Sequence, residues 1–480
     1  MSIQLNGRQD FTLDNFFSVA WQGKSVELSS ATQQLIDRHR DSFMKLIDYD
    51  QNITVYGVTS GYGQMASLRL DATQRAAHAM QPPYACAVGF GGELPERIKR
   101  GIVFCRLSNF IEGNAAVSSE LAVKVANLLH GDLPAVAAIG NASAGEIVPL
   151  SALFSEIWEN HTLKEKEALA LINGSPCASA LMADIALSAQ QRISLCLDIF
   201  ALAAAAIGSP AEHYSDALES LYNDPAQTDI LRQLRTLIGD IKNPRPYQAP
   251  VSWRIVPRIL GQLRTALTQI EQCSAIALQS VTDNPAYIPP DQKHPLGQVL
   301  SNGGYHNANA CPLMDQISGC YADLALLCDR QVSKLFDQKV SLLPHQLKAG
   351  DGHASCLGFI AADYAEQARH HAQRTGLIGS EGGGYGQNDV LQPAFQAWHK
   401  AQQAGTCLDA TLAILAVTCS QAFYATDAVL CPPALRPLLT DIRHFVSPVS
   451  DDRALGQSVG QLAETFTQRI YQDCRVDTGH

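Results

Sequence analysis

The chain has 480 residues, of which 46% are hydrophobic and only 17% charged, and its net charge at neutral pH is −11. A chain this long and this poor in charge can bury a large core, which excludes a disordered protein. The acidic balance and the lack of a basic run argue against nucleic acid as a partner, because phosphate binding needs clustered Lys and Arg.

The cysteines and the N-terminal sequence predict a soluble protein of the cytoplasm. Thirteen cysteines are scattered without a CxxC pair, which is typical of reduced thiols. The chain starts without a basic region followed by an apolar one, so we expect no signal peptide. The most apolar stretch, Ile193 to Ile207, is short for a bilayer span and contains Asp198, so we expect no membrane partner.

Helical patterning dominates the chain. Short β-type runs are expected only at Ile3–Leu5, at Ser25–Leu28 and around Ile53–Tyr56. Seven segments carry Ala, Leu and Ile at helical spacing with few internal Gly or Pro: 113–130, 150–171, 178–208, 255–280, 311–340, 355–376 and 406–429. The longest of them carry little charge, which predicts a mainly α fold with a central helix bundle buried on all sides.

No linker divides the chain. We place an approximate boundary near residue 200, with an N-terminal lobe in residues 1–200 and the long-helix bundle in residues 201–480. Loops rich in Gly, Pro, Asn or Ser separate the predicted helices, and loops on a rigid scaffold are where chemistry usually lies.

The first such loop, residues 54–66, holds Tyr56 and Tyr62 among three glycines. Glycines let the backbone turn sharply and come close to a ligand. A tyrosine at the mouth of this loop can act as a base or an acid if its pKa falls. The plain alternative is a tight turn with packed aromatic rings.

Two further loops each precede a predicted helix. In Ala138–Leu150, the spacing of Ser143 and Glu146 fits a capping box, so a simple helix start is one interpretation. Asn173, between two predicted helices, can donate its amide to a carboxylate or cap the following helix.

The later loops are ambiguous when each is taken alone. Arg254 lies in a loop punctuated by prolines and is a candidate carboxylate clamp, although a surface Arg paired with an acid is the common case. The stretches 280–306 and 381–389 have the composition of plain turns. No HExxH pattern occurs, and the adjacent His370 and His371 point different ways on a helix, so we expect no metal site.

Taken in order, these loops resemble the histidine/phenylalanine ammonia-lyase family, whose members carry a methylidene-imidazolone (MIO) group. Tyr56–Gly63 resembles the family's YGxNTGFG loop, and Arg106 begins a stretch that loosely resembles RxNxxxxG. Further stretches are similar to family motifs: Gly145–Leu150 to GDLAPL, Glu167–Gly174 to EGLALLNG, Gln248–Gly261 to QDxYSxRxxPQxxG, Asp283–Pro285 to DNP and Ser301–His306 to SGGNFH.

The resemblance covers most of the chain, from about residue 10 to about residue 430. It implies a long-helix bundle of the ammonia-lyase (fumarase/aspartase-like) type with a small irregular N-terminal portion. It also implies a homotetramer in which loops from several subunits complete each site.

The cofactor position departs from the family. MIO forms from an Ala-Ser-Gly tripeptide, and the equivalent loop here is Ala142, Ser143, Ala144 and Gly145. Read as Ser-Ala-Gly, this loop lacks the central Ser that becomes the methylidene. Read as Ala-Ser-Ala, it lacks the Gly whose unhindered nitrogen attacks a carbonyl. We therefore expect no MIO and no other cofactor.

The resemblance also implies which side chains form the site. The catalytic candidates are Tyr56 and Tyr305, and the substrate-binding candidates are Asn173, Arg254, Cys86, Tyr62 and Gln387. Tyr56 would take the β-proton of the substrate, while Asn173 and Arg254 would hold a carboxylate. Val251 stands where the family has a catalytic Tyr, and the acidic residue usual near Gln387 is missing.

The sequence thus predicts a carbon–nitrogen lyase that works without MIO on a small, carboxylate-bearing, amino-acid-like substrate. The reaction would be an acid/base elimination or the reverse addition. The alternatives are another cofactor-free acid/base reaction such as a cyclisation or isomerisation, a trimethylammonium-eliminating lyase similar to ergothionases, a true MIO-dependent ammonia-lyase, and an inactive binding scaffold.

Overall fold

The computed structural model describes residues 2–50, 52–379 and 388–472, apart from the side chain of Gln64. The fold is mainly α, as predicted. The helices of the first part of the chain are α1 (Leu13–Phe16), α2 (Ser30–Tyr49), α3 (Ala72–Ala79), α4 (Glu96–Phe110), α5 (Ser119–Asn127), α6 (Ile147–Leu153), α7 (Ser155–Asn160), α8 (Glu167–Ile172), α9 (Pro176–Ala206), α10 (Ala217–Tyr222) and α11 (Pro225–Ile238).

The second half of the chain continues in the same way. Its helices are α12 (Val251–Arg254), α13 (Val256–Leu278), α14 (Ala310–Phe336), α15 (Gln338–Ser341), α16 (Leu357–His371), α17 (Ala394–Ala425), α18 (Arg436–Phe445) and α19 (Gly456–Gln472). The strands of the described residues are β1 (Ile3–Leu5), β2 (Val26–Leu28), β3 (Ala286–Ile288) and β4 (Gln298–Leu300).

The long, sparsely charged helices match their predicted segments closely. α9, α13 and α14 each begin and end within a few residues of the predicted segment. α9 is buried along nearly its whole length and therefore carries apolar residues on every face, as predicted. α13 and α14 differ from the prediction of burial on all sides, because each exposes one face. α17 begins twelve residues before its predicted start at residue 406 (406 − 394 = 12).

Other helical predictions were wrong in extent. Segment 150–171 divides into the rest of α6, then α7 and α8, with residues 161–166 between the last two. Segment 113–130 is helical only from Ser119, because Gly113 and Ala116 have positive φ angles of 75° and 55°. α2 is an amphipathic surface helix that was not predicted. It begins after Ser29, whose hydroxyl accepts from the Thr32 N–H.

The strand prediction around Ile53–Tyr56 was also wrong. The backbone groups there are used within a turn: the Val55 carbonyl accepts from the N–H groups of Val58, Thr59 and Ser60. The Val55 N–H donates to Thr59 Oγ1 at 2.8 Å. The two N-terminal predictions were right, since β1 and β2 pair in parallel. β3 and β4 form an antiparallel hairpin that the sequence analysis did not predict.

The chain divides into two compact units, and their borders differ from the approximate one near residue 200. Unit 1 contains residues 1–187, 270–312 and 375–398, and unit 2 contains residues 188–269, 313–374 and 399–480. The difference arises because the chain returns to unit 1 twice, and such returns leave no signal in composition. The β3–β4 hairpin belongs to unit 1, where Tyr287 of β3 packs with Phe43 and Ile47 of α2.

Two helical stretches are long and apolar enough to cross a membrane, Glu167–Ala206 and Ala394–Ala425. The apolar stretch that begins at Ile193 forms the C-terminal part of the first of them, within α9. The most apolar parts of the two helices are 100% and 89% buried inside the protein, which is the pattern of core helices. Among the described residues, every cysteine is free and no group of His, Cys, Asp and Glu could hold a metal ion.

Candidate active site

Unit 1 encloses a cavity of about 320 Å³. Its walls are formed by three tyrosines, by amide and hydroxyl side chains and by small or aliphatic residues: Tyr56, Tyr62, Gly63, Cys86, Ala144, Gly145, Ile147, Leu169, Ile172, Asn173, Asn284, Ser301, Asn302, Tyr305 and Asn388. Within the part of the chain that the structure describes, no charged side chain lines this cavity. The cavity therefore favours a small ligand held by amides and aromatic faces.

The tyrosine loop reaches the cavity through a tight turn. Gly57 has a φ of 69°, a conformation that L side chains rarely adopt, and a Cβ there would lie 2.7 Å from Leu169 Cδ2 of α8, so glycine suits this close approach. The Tyr56 hydroxyl lines the cavity and accepts from the Gly63 N–H at 2.9 Å. An N–H that donates to the phenol oxygen stabilises negative charge on it, which suits a proton-accepting Tyr56.

Tyr62 and Cys86 lie together on the same wall. Burial raises the pKa of Tyr62, and the neighbouring Cys86 and Tyr56 raise it further. Burial also raises the pKa of the Cys86 thiol. Both groups are therefore neutral near pH 7, and they suit substrate contact better than proton abstraction or nucleophilic attack.

The loop at 142–145 presents only its second half to the cavity. Ala144 and Gly145 line it, whereas Ala142 and Ser143 do not. The Ser143 hydroxyl instead accepts from the Val148 N–H at 3.1 Å, in the first turn of α6. Gly145 has a φ of 65°, and a Cβ there would lie 2.5 Å from Asn173 Oδ1. Glycine at 145 thus permits the closest approach between two walls of the cavity.

The capping-box interpretation of this loop was wrong. The Ser143 hydroxyl accepts from the Val148 N–H and not from the Glu146 N–H, and the Glu146 carboxylate does not reach back to the Ser143 N–H. Glu146 has a left-handed backbone with a φ of 60°, which turns its carboxylate toward the start of α9. There Oε2 accepts from the Cys177 N–H at 2.6 Å and Oε1 from the Ala178 N–H at 2.7 Å.

Asn173 follows α8 directly and is held at both its backbone and its side chain. Its carbonyl accepts from Arg106 Nη1 at 2.7 Å, and its Nδ2 donates to the Asn284 carbonyl at 2.7 Å. A primary amide has two N–H donors, so one remains for a ligand. Asn173 is thus placed as a neutral donor in the cavity wall rather than as a helix cap.

Tyr305 enters the cavity from the segment that follows β4. Asn284 lies just before β3, and its Oδ1 accepts from the Asn302 N–H at 2.8 Å. Asn302 Nδ2 donates to the Asp283 carbonyl at 3.1 Å. These bonds hold the 301–305 segment beside Asn173. Asn284 and Asn302 were missed as site residues, although the Asp283–Pro285 motif was a signal.

Two predicted site residues remain. Arg254 belongs to unit 2, in α12, where its Nε donates to the Ala249 carbonyl at 3.0 Å. Gln387 lies outside the described residues, and its neighbour Asn388 lines the cavity. Unit 1 thus brings together Tyr56, Tyr62, Cys86, Asn173 and Tyr305, with Ala144 and Gly145 of the equivalent cofactor loop.

A cavity lined by tyrosines and amides can bind a small ligand, and phenol groups can transfer protons to or from it. The sequence pattern of the aromatic amino acid lyase family matches residues 11–158 and 152–444. The chain therefore belongs to the aromatic amino acid lyase family, and the expectation of a carbon–nitrogen lyase is confirmed at the level of this family.

Curated relatives and solved structures agree with this assignment. The histidine ammonia-lyase of Symbiobacterium thermophilum is 27% identical over 492 residues, which is 94% of each chain. The crystal structure of an ergothionase from Treponema denticola superposes with a TM-score of 0.89 at 16% identity, over 99% of this chain and 100% of that one. The phenylalanine aminomutase of Pantoea agglomerans gives a TM-score of 0.88 at 18% identity, over 98% and 100%. At these identities the solved structures support the fold alone.

Proposed function

We propose that this chain is a carbon–nitrogen lyase that works without an MIO group. The observation that carries this proposal is Ala144, the residue that presents its side chain to the cavity at the centre of Ser143-Ala144-Gly145. A methyl side chain has no hydroxyl to lose as water, so it cannot become the methylidene. In the other register the serine is Ser143, which does not line the cavity and whose hydroxyl is bonded to Val148 N–H. The residues present therefore do not fit the group.

The proposed reaction is a 1,2-elimination, or its reverse addition, on a small carboxylate-bearing, amino-acid-like substrate. Tyr56 accepts the β-proton, the electrons of the broken C–H bond form the C=C bond, and the amine leaves with the electrons of the C–N bond. Tyr305, across the cavity, is the second proton carrier. Asn173 donates its free N–H to the substrate carboxylate.

A second candidate function specifies the leaving group as a quaternary amine. Without an electrophile, the enzyme needs a substrate whose amine leaves unaided, and a trimethylammonium group leaves as a neutral amine. Tyr56, Tyr62 and Tyr305 face a cavity whose described lining has no competing charge, and aromatic faces attract quaternary ammonium ions. This observation favours an ergothionase-like elimination of trimethylamine. A cyclisation or isomerisation would use the same tyrosines and release no amine, so amine release separates it from elimination.

Two measurements on the purified protein test these proposals. The intact mass should equal the sequence mass, and a mass lower by two waters would show MIO and overturn the cofactor-free mechanism.

With a substrate found by assaying amine release, Tyr56→Phe should lower kcat/KM by about 10²–10⁴-fold, the usual contribution of a general base. Tyr49→Phe, at an exposed position, is the matched control and should change nothing. A fully active Tyr56→Phe variant would refute the assigned base, and the absence of turnover with every candidate amine would favour a binding scaffold.

The role of Arg254 is proposed together with a homotetramer in the cytoplasm. We place Arg254 opposite the substrate carboxylate in a site shared between subunits. Arg254→Ala should weaken carboxylate binding. Co-expression of the Arg254→Ala and Tyr56→Phe variants should restore activity to about a quarter of the sites. A site is intact when the subunit that supplies Tyr56 is an Arg254→Ala chain and the subunit that supplies Arg254 is a Tyr56→Phe chain, and random mixing gives each an even chance. If the mixture is no more active than its parents, the two residues act from one subunit or Arg254 is not in the site.

A further inference from the structure

Buried ionisable side chains lie behind the cavity wall, and the mechanism above uses none of them. Arg106 of α4, Glu146, Lys166 and Asp283 are each at most 3% exposed. Lys166 and Asp283 form an ion pair. Glu146 differs from the others because it belongs to the same loop as two cavity residues, Ala144 and Gly145.

Glu146 holds the cavity loop to the start of a long helix. Both of its carboxylate oxygens accept backbone N–H groups of α9, from Cys177 at 2.6 Å and from Ala178 at 2.7 Å. The N-terminus of a 31-residue helix carries unpaired N–H groups and the positive end of the helix dipole, so a carboxylate there is well placed.

The same connection fixes the relation between two cavity walls. The Gly145 carbonyl accepts from the Gly174 N–H at 3.2 Å. A Cβ at Gly145 would lie 2.5 Å from Asn173 Oδ1, so the two walls are in direct contact. Glu146 follows Ala144 and Gly145 in the chain, and Cys177 and Ala178 follow Asn173 closely. The bonds from the Glu146 carboxylate to Cys177 and Ala178 therefore hold the Ala144–Gly145 edge of the cavity against the Asn173 edge.

We propose that Glu146 is a positioning residue that orders the cavity only while its carboxylate is ionised. As a carboxylate it accepts both N–H groups. Once protonated, one of its oxygens becomes a donor that faces an N–H, so one bond of the pair is lost and the edge at Ala144–Gly145 is released. The effect on catalysis rests on the proposed function, whereas the effect on cavity shape does not.

The surroundings place this protonation in the physiological range. Burial raises the pKa of Glu146 to about 7, against the lowering effect of the two backbone N–H groups and of Arg106. The titratable groups that act on it from the packed elements are Cys105 and Arg106 of α4 and Cys177 of α9. Asp283 and Lys166 act on Arg106 in turn. Neither cysteine ionises near pH 7, because burial raises the pKa of each thiol well above its ordinary value.

The test uses the cavity thiol Cys86 as a reporter that needs no substrate. Iodoacetamide, an uncharged reagent, alkylates the full-length protein across pH 7, and mass spectrometry gives the rate at Cys86 relative to exposed Cys356. Above pH 7, Cys86 of the wild type should react several-fold more slowly than in Glu146→Gln. The difference should vanish below pH 6, where both side chains are uncharged. Glu146→Asp keeps a carboxylate and should restore part of the protection above pH 7.

A merely structural role predicts a different pattern. If Glu146→Gln changes Cys86 labelling by the same factor at every pH, or not at all, the proposal is overturned. If Glu146→Gln does not fold, Glu146→Asp carries the test, and a labelling profile without a step near pH 7 in that variant and in the wild type overturns the proposal equally. An inactive wild type would count against the proposed function and leave the labelling result standing. With a substrate in hand, Glu146→Gln should remove a rise in kcat near pH 7 while KM changes little.

Discussion

Each of the two units buries charged side chains completely. The Arg192–Asp409 pair of unit 2 and the cluster around Arg106 in unit 1 differ in how many of their polar atoms have hydrogen-bond partners. In unit 2, Arg192 donates to both oxygens of Asp409, with Nε–Oδ1 and Nη2–Oδ2 each 3.1 Å, and Thr467 donates to Oδ2 at 3.0 Å. The rings of Tyr321 and Tyr471 lie 5.3 and 5.7 Å from the guanidinium carbon. Only Arg192 Nη1 of this pair has no hydrogen-bond partner among the described residues.

The buried charges beside the cavity of unit 1, around Arg106 and Asp283, are less fully paired. Arg106 donates to the Asn173 carbonyl, but its Nε and Nη2, and Oδ1 of Asp283, have no hydrogen-bond partner within the described ranges. The residues around them adopt strained backbone conformations, with φ angles of 60° at Glu146 and 74° at Lys166.

Unit 2 also has residues with positive φ, at Asn223, Leu342, Gln346 and Leu347, so strain alone does not distinguish the units. Beside the cavity, strain coincides with incomplete pairing, a combination expected where a protein serves a ligand rather than its own stability. Arg192 and Asp409 thus hold helices of unit 2 together, whereas the charges around Arg106 shape the cavity wall of unit 1.

The largest effect is expected from breaking the pair of unit 2. Asp409→Asn leaves the fully buried Arg192 without a countercharge, which should lower the free energy of unfolding by about 3–5 kcal/mol. Urea denaturation measures the loss. Arg469→Ala, which breaks an ion pair whose side chains are 49% and 53% exposed, is the control and should cost less than about 1 kcal/mol. Equal losses in the two variants would contradict the role given to Arg192 and Asp409.

The next effect concerns Glu146 and the pH dependence of stability. Burial raises its pKa from an ordinary 4.5 to about 7 in the folded protein, so the native state binds the proton more tightly than the unfolded chain. The stabilisation from the protonated form is complete below about pH 4.5 and is lost as the pH rises through about 7. Between about pH 5 and 8, the unfolding free energy of the wild type should therefore fall relative to that of Glu146→Gln, by at most about 3 kcal/mol.

This fall would show that ionising Glu146, which orders the cavity of unit 1, lowers the free energy of unfolding. The form of Glu146 that clamps the cavity is then the less stable form of the protein, which is the usual conflict between a functional arrangement and stability. A stability difference between wild type and Glu146→Gln that does not change with pH would remove that interpretation. The corresponding experiment in unit 2, on Asp409→Asn, serves as the comparison at the same pH values.

A smaller effect is expected at Gly174, beside Asn173. Its φ of 142° is a conformation that L side chains rarely adopt, and a Cβ would lie 3.1 Å from both Arg106 Nη2 and Thr282 Oγ1. Gly174→Ala should therefore destabilise the protein by about 1–3 kcal/mol. Thermal unfolding measures this, with Gly131→Ala as the control, because a Cβ at Gly131 meets nothing within 4 Å. If Gly174→Ala leaves the unfolding temperature unchanged, Arg106 and Thr282 can shift to accommodate a Cβ, and the assigned strain is refuted.

How far the sequence could predict these regions follows from the range of the interactions. α9 was predictable because a helix buried on all sides carries apolar residues in every turn. α13 and α14 each expose one face, and they were predictable because long runs with few Gly or Pro keep apolar residues at helical spacing. α2 was missed because its buried residues, such as Ile36 and Phe43, alternate with many polar ones and leave only a one-sided pattern. The division into units depends on which distant segments meet, which local periodicity does not record.

The candidate site shows the same limit. The order of loops, through family resemblance, was enough to propose Tyr56, Cys86, Asn173 and Tyr305, which line one cavity. The supports of that cavity were not predictable. The Lys166–Asp283 pair joins residues 117 positions apart, and Glu146 turns toward α9 only because its backbone is left-handed. In sequence, Ser143 and Glu146 have the spacing of a capping box, and the alternative partner thirty-one positions away was invisible.

The smallest expected effect contrasts an unstrained helix glycine of unit 2, Gly460, with Gly174 of the cavity wall in unit 1. Gly460 lies inside α19 with no unusual φ angle, and a Cβ there would meet nothing within 4 Å. Gly460→Ala should raise the free energy of unfolding by about 0.5–1 kcal/mol, because alanine has less freedom to lose on folding. Thermal unfolding beside Gly174→Ala measures the contrast: the two substitutions are chemically identical and should act with opposite signs. If both destabilise the protein, backbone strain does not distinguish the cavity wall from the helices of unit 2.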